Sequence, residues 1–166
     1  MFNVKKLAFG AAMLAASAVC FAAPKVEIVT SEGNIVVNLN EKAAPTTVAN
    51  FVKYAKEGFY NGTIFHRVIN NFMIQGGGFD RNLHQKSTHA PIKLEDKNGL
   101  KNTVGTIAMA RTNNPDSATS QFFINLKDND FLNGTSTKDG YAVFGEVVTG
   151  MDVVRKIGHA PTGSKG

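Results

Sequence analysis

The stretch 63–79, TIFHRVINNFMIQGGGF, decides the fold and the candidate site of this 166-residue chain. Its apolar residues form two runs on either side of Asn70-Asn71, and asparagine tolerates the left-handed backbone of a tight turn. The pattern predicts two strands, 63–69 and 72–75, with three glycines ending the second. Arg67 stands among apolar neighbours, where a buried cation is costly unless it is hydrogen-bonded or functional. We therefore expect Arg67 to be buried and to carry chemistry.

Most of the remaining pattern indicates short strands. Residues 25–30 and 34–39, joined by the tight turn 31–33, predict a hairpin. Residues 46–57 have the spacing of an amphipathic helix, and a second short helix is predicted around 151–157. Further strands are predicted at 103–110, 121–125 and 141–148, and the long polar segment 79–101 is predicted to be an irregular loop. Many short strands with two helices favour an antiparallel barrel or sandwich.

The N-terminus has the pattern of a secretory signal peptide. Lys5 and Lys6 precede an apolar run over 7–19, which is too short to span a bilayer. We expect cleavage after Ala22, which leaves one domain over 23–166. The alternatives are a buried core helix or a lipid-modified Cys20, although a lipoprotein signal usually has a small residue where this chain has Val19.

Composition limits the partners of the domain that follows. The single cysteine lies in the predicted signal, and a cysteine-free domain suits an oxidising compartment. Two of the 18 Lys and Arg residues also lie there, so residues 23–166 carry a net charge of +3. The charges are interspersed and form no basic stripe, which argues against nucleic-acid binding. No second apolar run is long enough to span a membrane.

The common catalytic constellations are not present in the sequence. His66, His84, His89 and His159 do not pair at metal-ligand spacing, there is no nucleophile elbow, and Gly76 to Gly78 lack the Lys-Ser/Thr of a phosphate loop. What remains is a cation and a glutamine, Arg67 and Gln75, with apolar residues at loops and strand ends. That set suits rotation about an X–Pro bond, which needs no nucleophile, acid or metal and has a barrier of about 20 kcal/mol.

Several segments resemble the cyclophilin family of peptidyl-prolyl cis–trans isomerases. They are FHRVINNFMIQGGGF at 65–79, SQFFI at 120–124 followed by Phe131-Leu132, and YAVFGEVVTGMDVV at 141–154. With the predicted signal, the chain is similar to periplasmic cyclophilins of Gram-negative bacteria. The resemblance implies a mainly β fold, an eight-stranded antiparallel barrel capped by two α-helices. It also implies an isomerase that needs no cofactor or metal and acts on proline-containing, unfolded or partly folded exported polypeptides.

The resemblance also implies roles for individual residues. Arg67 matches the catalytic arginine, and Gln75 matches the glutamine that orients it. The residues that match the proline pocket are Phe72, Met73, Phe123 and Leu132. Ala110 and Arg111 match the stretch whose backbone pairs with the substrate peptide. His66 precedes the arginine as in the family, and we expect it to be structural.

Three departures from the family pattern change the expectations. Phe131 stands where many members have tryptophan, so we expect weak binding of cyclosporin. Tyr141 stands where many have histidine; it keeps an aromatic wall, so activity should survive. The sequence lacks the final strand that pairs with the first in the family, which predicts an unpaired edge at 26–29 and suggests a truncated sequence. Equal thermal stability of this chain and one extended by a closing strand would contradict that suggestion.

Two classes of function remain open at this point. The first is a periplasmic, monomeric prolyl isomerase, and the second is a proline-peptide-binding chaperone without catalysis. The exposed apolar residues would serve either function. Arg67 and Gln75 favour the enzyme, because binding alone would require neither.

Overall fold

The computed structural model describes residues 22–164. Within them the chain forms seven β-strands, two α-helices and one 3₁₀ helix. The strands are β1 (Lys25–Thr30), β2 (Gly33–Leu39), β3 (Arg67–Ile69), β4 (Met73–Gly76), β5 (Thr106–Met109), β6 (Phe122–Asn125) and β7 (Val143–Thr149), and the helices are α1 (Pro45–Lys56), α2 (Met151–Gly158) and the 3₁₀ turn Asp130–Leu132. The predicted signal peptide lies almost entirely outside the described residues, and its cleavage site stays a prediction.

The strands form one curled antiparallel sheet in the order β1-β2-β7-β5-β6-β4-β3. This confirms the mainly β fold with two helices, and the described residues form seven strands rather than the eight expected. The predicted hairpin is present, with Val26 opposite Val37. In the described part of the chain β1 pairs only with β2, and Val29 is 74 % exposed. β1 and β3 are therefore the two edges of the sheet.

The main core lies between one face of the sheet and the two helices. Phe51 of α1 is buried against Phe122 of β6 and Phe144 of β7, with ring centroids 5.4 and 5.2 Å away. Val154 and Ile157 of α2 join the same core. Because strand side chains alternate between the two faces, the neighbouring strand positions point to the opposite face, where the candidate site is built.

The stretch 63–79 forms a shorter first strand than the sequence predicted. Only Arg67–Ile69 pairs with β4, whereas Thr63 makes a single bridge to Asp80. Residues 64–66 instead cross closely over Gly76, where an added Cβ would lie 3.0 Å from the Ile64 carbonyl oxygen. The turn between the strands is as predicted, with Asn71 in the left-handed region at φ 57°.

One further predicted strand is shorter than expected. β5 begins at Thr106 rather than Thr103, because the Thr106 N–H donates back to the Thr103 carbonyl in a turn, 3.1 Å. The segment 79–101 is irregular as predicted and forms only isolated bridges, such as Ile92 with Ala118. Among residues 22–164, no helix has the length and apolar character needed to cross a bilayer.

Candidate active site

A row of side chains runs across four strands on the outer face of the sheet. Arg67 of β3 is opposite Gln75 of β4, Gln75 is opposite Phe123 of β6, and Phe123 is opposite Ala108 of β5. Directly opposite residues of antiparallel strands project from the same face. The pairing therefore places the guanidinium of Arg67 beside the predicted proline pocket, although the residues are far apart in sequence.

Arg67 is the first member of a polar chain that we call the rim triad, Arg67, Gln75 and Gln121. Arg67 Nη1 donates to Gln75 Oε1 at 3.5 Å, a long bond. Gln75 Nε2 donates to Gln121 Oε1 at 3.0 Å. Each glutamine holds the next side chain by one bond, so Arg67 is oriented, and within the described part of the chain most of its donors have no partner.

The prediction that Arg67 is buried is wrong. The side chain is exposed to solvent. The reason is that β3 is a three-residue edge strand, so no neighbouring strand covers its outer side. Val68 points to the opposite face and packs on the main core, whereas Ile69 on the same face as Arg67 is itself 40 % exposed, so the charge of Arg67 stays in water.

Gln121 is a candidate site residue that the sequence reasoning missed. Its side chain closes the rim triad and packs on Gly78, where an added Cβ would lie 2.5 Å from Gln121 Cγ. Its carbonyl oxygen also accepts from the Ala110 N–H at 3.0 Å. Strand alternation could have found it, since Gln121 and Phe123 are two residues apart and share a face.

The predicted proline-pocket residues come together in one apolar cluster. Met73, Phe123 and Leu132 are 1 %, 4 % and 8 % exposed and pack with Ala108 and Val143. The partly buried residues around them are Phe72, Leu100, Ala110 and Tyr141. The cluster draws on four strands and the loop after β6, so its shape depends on the whole sheet.

Aromatic rings form the outer wall of this cluster. Phe131 is 59 % exposed, and its ring is stacked on Phe72 with centroids 5.6 Å apart and planes 25° apart. Tyr141 meets Phe123 edge to face at 5.8 Å. An exposed ring held by another ring offers apolar surface to a ligand without needing to reorder. Phe131 and Tyr141 are therefore placed where a peptide over the pocket would contact them.

The chain just after β5 is available for pairing with a peptide. The N–H of Ala110 is already bonded to the Gln121 carbonyl, but within residues 22–164 the backbone N–H and C=O of Arg111 make no hydrogen bond. The Arg111 side chain instead lies over the Tyr141 ring, with Cζ 4.6 Å from the centroid. Ala110 and Arg111 thus lie beside the cluster, with one free backbone donor and acceptor at Arg111.

Three buried asparagines lie behind the cluster and form what we call the asparagine network, Asn102, Asn125 and Asn129. They are 1 %, 0 % and 1 % exposed. Asn125 Nδ2 donates to Asn102 Oδ1 at 3.1 Å, and Asn129 Nδ2 donates to Asn125 Oδ1 at 2.9 Å. Asn129 Oδ1 is buried and has no hydrogen-bond partner among residues 22–164. The network joins β6 to the loop before β5, which holds Asn102, and to the loop after β6, which holds Asn129.

The asparagine network also holds the backbone of the pocket. Asn129 Nδ2 donates to the Phe72 carbonyl at 3.0 Å. Asn102 Nδ2 donates to the carbonyls of Leu132 and Tyr141 at 3.3 and 3.2 Å. Three of the residues that form the pocket are therefore fixed from behind by side chains that no sequence motif had marked.

His66 lies next to Arg67 and does not take part in the rim triad. Its ring packs on Phe79 at a tilt of 47° with centroids 4.4 Å apart, and its buried Nδ1 has no hydrogen-bond partner among residues 22–164. Burial first, and then the Arg67 guanidinium, lower the pKa of His66 below its usual value. A neutral His66 adds no second charge beside Arg67, which suits the structural role expected for it.

The other histidines do not gather at the site. His89 Nε2 lies 2.6 Å from Glu57 Oε2, and His84 is exposed beside Asp80. Over residues 22–164, no group of three or more His, Cys, Asp or Glu side chains is placed to hold a metal ion.

The geometry defines a class of site. An apolar pocket, a free backbone pair beside it and an oriented guanidinium on the same face are the parts of a site that grips an extended peptide and polarises one of its amides. Such a site suits a peptide-bond isomerase.

Comparison with known proteins places the chain within one family. The family described as cyclophilin type peptidyl-prolyl cis-trans isomerase/CLD matches residues 25–166. The peptidyl-prolyl cis-trans isomerase of Acinetobacter baylyi is 58 % identical over 163 residues, covering 98 % of this chain and 87 % of that protein. Peptidyl-prolyl cis-trans isomerase B of Escherichia coli is 61 % identical over 140 residues, covering 82 % and 85 %.

A solved structure agrees with the sequence relatives. A cyclophilin type isomerase of Cryptosporidium parvum, crystallised in the presence of the dipeptide Ala-Pro, has a TM-score of 0.72 and 27 % identity, covering 84 % of this chain and 88 % of that one. The chain belongs to the cyclophilin type peptidyl-prolyl cis-trans isomerase family, and by family it is an isomerase that acts on prolyl peptide bonds.

Proposed function

We propose that this chain accelerates X–Pro bond rotation in unfolded or partly folded polypeptides, with the proline ring in the apolar cluster. The observation that carries the proposal is the cross-strand row in which Arg67, Gln75 and Phe123 share one face. The row puts the Arg67 guanidinium beside the apolar cluster. In this proposal the cluster grips the proline ring, whose nitrogen must lose amide resonance for the bond to rotate. Both features act on the rotating bond without forming a covalent intermediate.

The reaction is slow in water because amide resonance must be broken, at a barrier of about 20 kcal/mol. In the twisted state the prolyl nitrogen becomes pyramidal and exposes a lone pair. A donor from Arg67 to that nitrogen stabilises the twisted state more than the planar one, which is the requirement for catalysis. Gln75 and Gln121 keep the guanidinium in place, so the donor needs little reorganisation to reach its orientation in the transition state.

The environment of the protein is a second part of the proposal. The N-terminal pattern of two lysines followed by an apolar run supports export through a cleaved signal, and the domain without cysteine suits the periplasm. The polypeptides acted on would then be exported proteins during folding. We further propose that the domain works as a monomer and binds cyclosporin weakly, because Phe131 offers a smaller ring than tryptophan and no indole N–H donor.

The test is a proline-isomerisation assay on a short X–Pro peptide, with wild type beside Arg67→Ala. Acceleration by the wild type that is largely lost in the variant supports the proposal. If the wild type binds the peptide but gives no acceleration, the non-catalytic chaperone is the correct alternative. If the variant is as active as the wild type, Arg67 is not the catalytic donor.

Export needs its own measurement. Mass spectrometry of the protein recovered from the periplasm of an expressing Gram-negative cell should give an N-terminus at Ala23. An intact N-terminus on protein that stays in the cytoplasm would contradict this part of the proposal.

A further inference from the structure

A second cavity lies next to the apolar cluster. It has a volume of about 430 Å³, and its lining includes Arg111, Pro115, Phe131, Leu132, Lys138 and Tyr141. Leu132 and Tyr141 belong to the apolar cluster or pack on it. The two spaces therefore share a wall, and a peptide with its proline in the cluster has neighbouring residues within reach of the cavity.

Arg111 stands in this cavity as a fixed cation. Its Nε and Nη2 donate to the Gly140 carbonyl at 3.0 and 2.9 Å, and Nη1 donates to the Thr112 carbonyl at 2.9 Å. Its guanidinium also lies over the Tyr141 ring, with Cζ 4.6 Å from the centroid. All of these partners are neutral, so they fix the guanidinium without cancelling its charge.

Lys138 adds a second cation to the same space. Its Nζ donates to the Phe131 carbonyl at 2.6 Å, which leaves further N–H donors on the ammonium group. The carboxylate in the lining, Asp139, lies 3.4 Å from Lys97 Nζ and is balanced by it. The buried carboxylate of Asp96 does not line the cavity and accepts from the Gly140 N–H at 2.7 Å. Arg111 and Lys138 therefore leave the cavity positively charged.

We propose that this cavity binds an acidic side chain of the substrate polypeptide, at a position close to the proline. The inference rests on the proposed function, since the peptide must first be seated in the apolar cluster. A carboxylate there would meet a preordered guanidinium and a lysine ammonium against aromatic walls, whereas a lysine at the same position would be repelled. The cavity would thus give the enzyme a sequence preference beyond proline.

The experiment uses an Ala-Pro host peptide and compares Glu, Gln and Lys at each of the residues that flank the Ala-Pro pair. At one flanking position we expect the wild type to have kcat/KM about threefold higher for Glu than for Gln, and lower for Lys, as for a partly exposed ion pair. The Glu-to-Gln ratio of kcat/KM should fall toward one in about 0.5 M salt, because exposed charges are screened.

Arg111→Gln and Lys138→Gln should each lower the Glu-to-Gln ratio toward one. The ratio separates charge from structural damage, because a displaced Tyr141 would slow the Glu and Gln peptides alike. Lys93→Gln is the matched control, since it removes an exposed lysine that does not line the cavity, and its ratio should stay at the wild-type value.

A ratio of one at every position in the wild type, with the host peptide still accelerated, overturns the acidic subsite and leaves the proposed function intact. A wild-type ratio that persists in both Arg111→Gln and Lys138→Gln also overturns it. If no peptide is accelerated at all, the proposed function fails, and the subsite fails with it.

Discussion

The rim triad and the asparagine network lie on two sides of one apolar pocket and differ in almost every physical property. The rim triad ends in an exposed arginine, which makes one side-chain hydrogen bond within the described residues, at 3.5 Å. The asparagine network is at most 1 % exposed and binds three pocket carbonyls. The Arg67 guanidinium keeps N–H donors that a ligand can use. The side-chain N–H donors of Asn102 and Asn129 are instead bonded to the backbone carbonyls of the pocket. Side-chain amides thus orient the candidate catalytic arginine on one side of the pocket and fix the pocket backbone on the other.

Arg67→Ala should separate the two groups most clearly. We expect kcat/KM for an X–Pro peptide to fall about 100-fold, the usual cost of removing a preorganised donor. Because the side chain is exposed and makes one long bond, the thermal midpoint should stay close to that of the wild type. Parallel activity and unfolding measurements check this, and a large loss of stability would mean that Arg67 is a structural residue.

Asn125→Ala should mainly lower the stability of the fold, whereas Arg67→Ala should mainly lower activity. Asn125 bonds to Asn102, Thr106 and Asn129, so its removal leaves buried polar groups without partners. We expect a loss of about 2 kcal/mol in the free energy of unfolding, measured by urea denaturation. KM should rise as the pocket loosens.

The exposed Asn82→Ala is the matched control for that variant and should change neither quantity. A stability of Asn125→Ala equal to that of the control would show that the asparagine network does not hold the pocket.

Gln121→Ala tests whether the rim triad acts as a unit. We expect about a tenfold lower kcat, the loss of one orienting hydrogen bond, with stability reduced by less than in Asn125→Ala. A double variant with Arg67→Ala should be no slower than Arg67→Ala alone, because Gln121 acts through the arginine. Additive losses in the double variant would indicate a separate role for Gln121. The exposed Gln85→Ala serves as the control.

The smallest expected effect is a pH dependence from His66. Burial and the Arg67 guanidinium lower the pKa of His66 in the folded protein. In the pH range just below the usual histidine pKa of about 6.5, the folded state therefore binds fewer protons than the unfolded state. Stability should therefore fall as the pH drops through that window. His66→Phe should flatten this part of the profile. Thermal scans between pH ~7.5 and ~5 measure the difference.

The two groups also differ in how far the sequence could predict them. Arg67 and Gln75 lie eight residues apart in one motif, and a hairpin brings them opposite each other, so local pattern was sufficient. Gln121 needed only strand alternation from Phe123. Asn102, Asn125 and Asn129 come from a strand and two loops, and no spacing in the sequence indicates that their side chains meet.

The sequence alone determined the mainly β fold, the hairpin and the helices, because these depend on local periodicity, while the expected pocket residues came from the resemblance of several separate motifs to the family. Only the tertiary structure decided that Arg67 is exposed and that three asparagines hold the pocket from behind. It alone also placed Arg111 and Lys138 beside that pocket. Burial and hydrogen bonding between distant segments depend on strand order, which brings β3, β4 and β6 together across more than fifty residues of sequence. Arg67 is exposed for that reason, since strand order leaves β3 at the edge of the sheet.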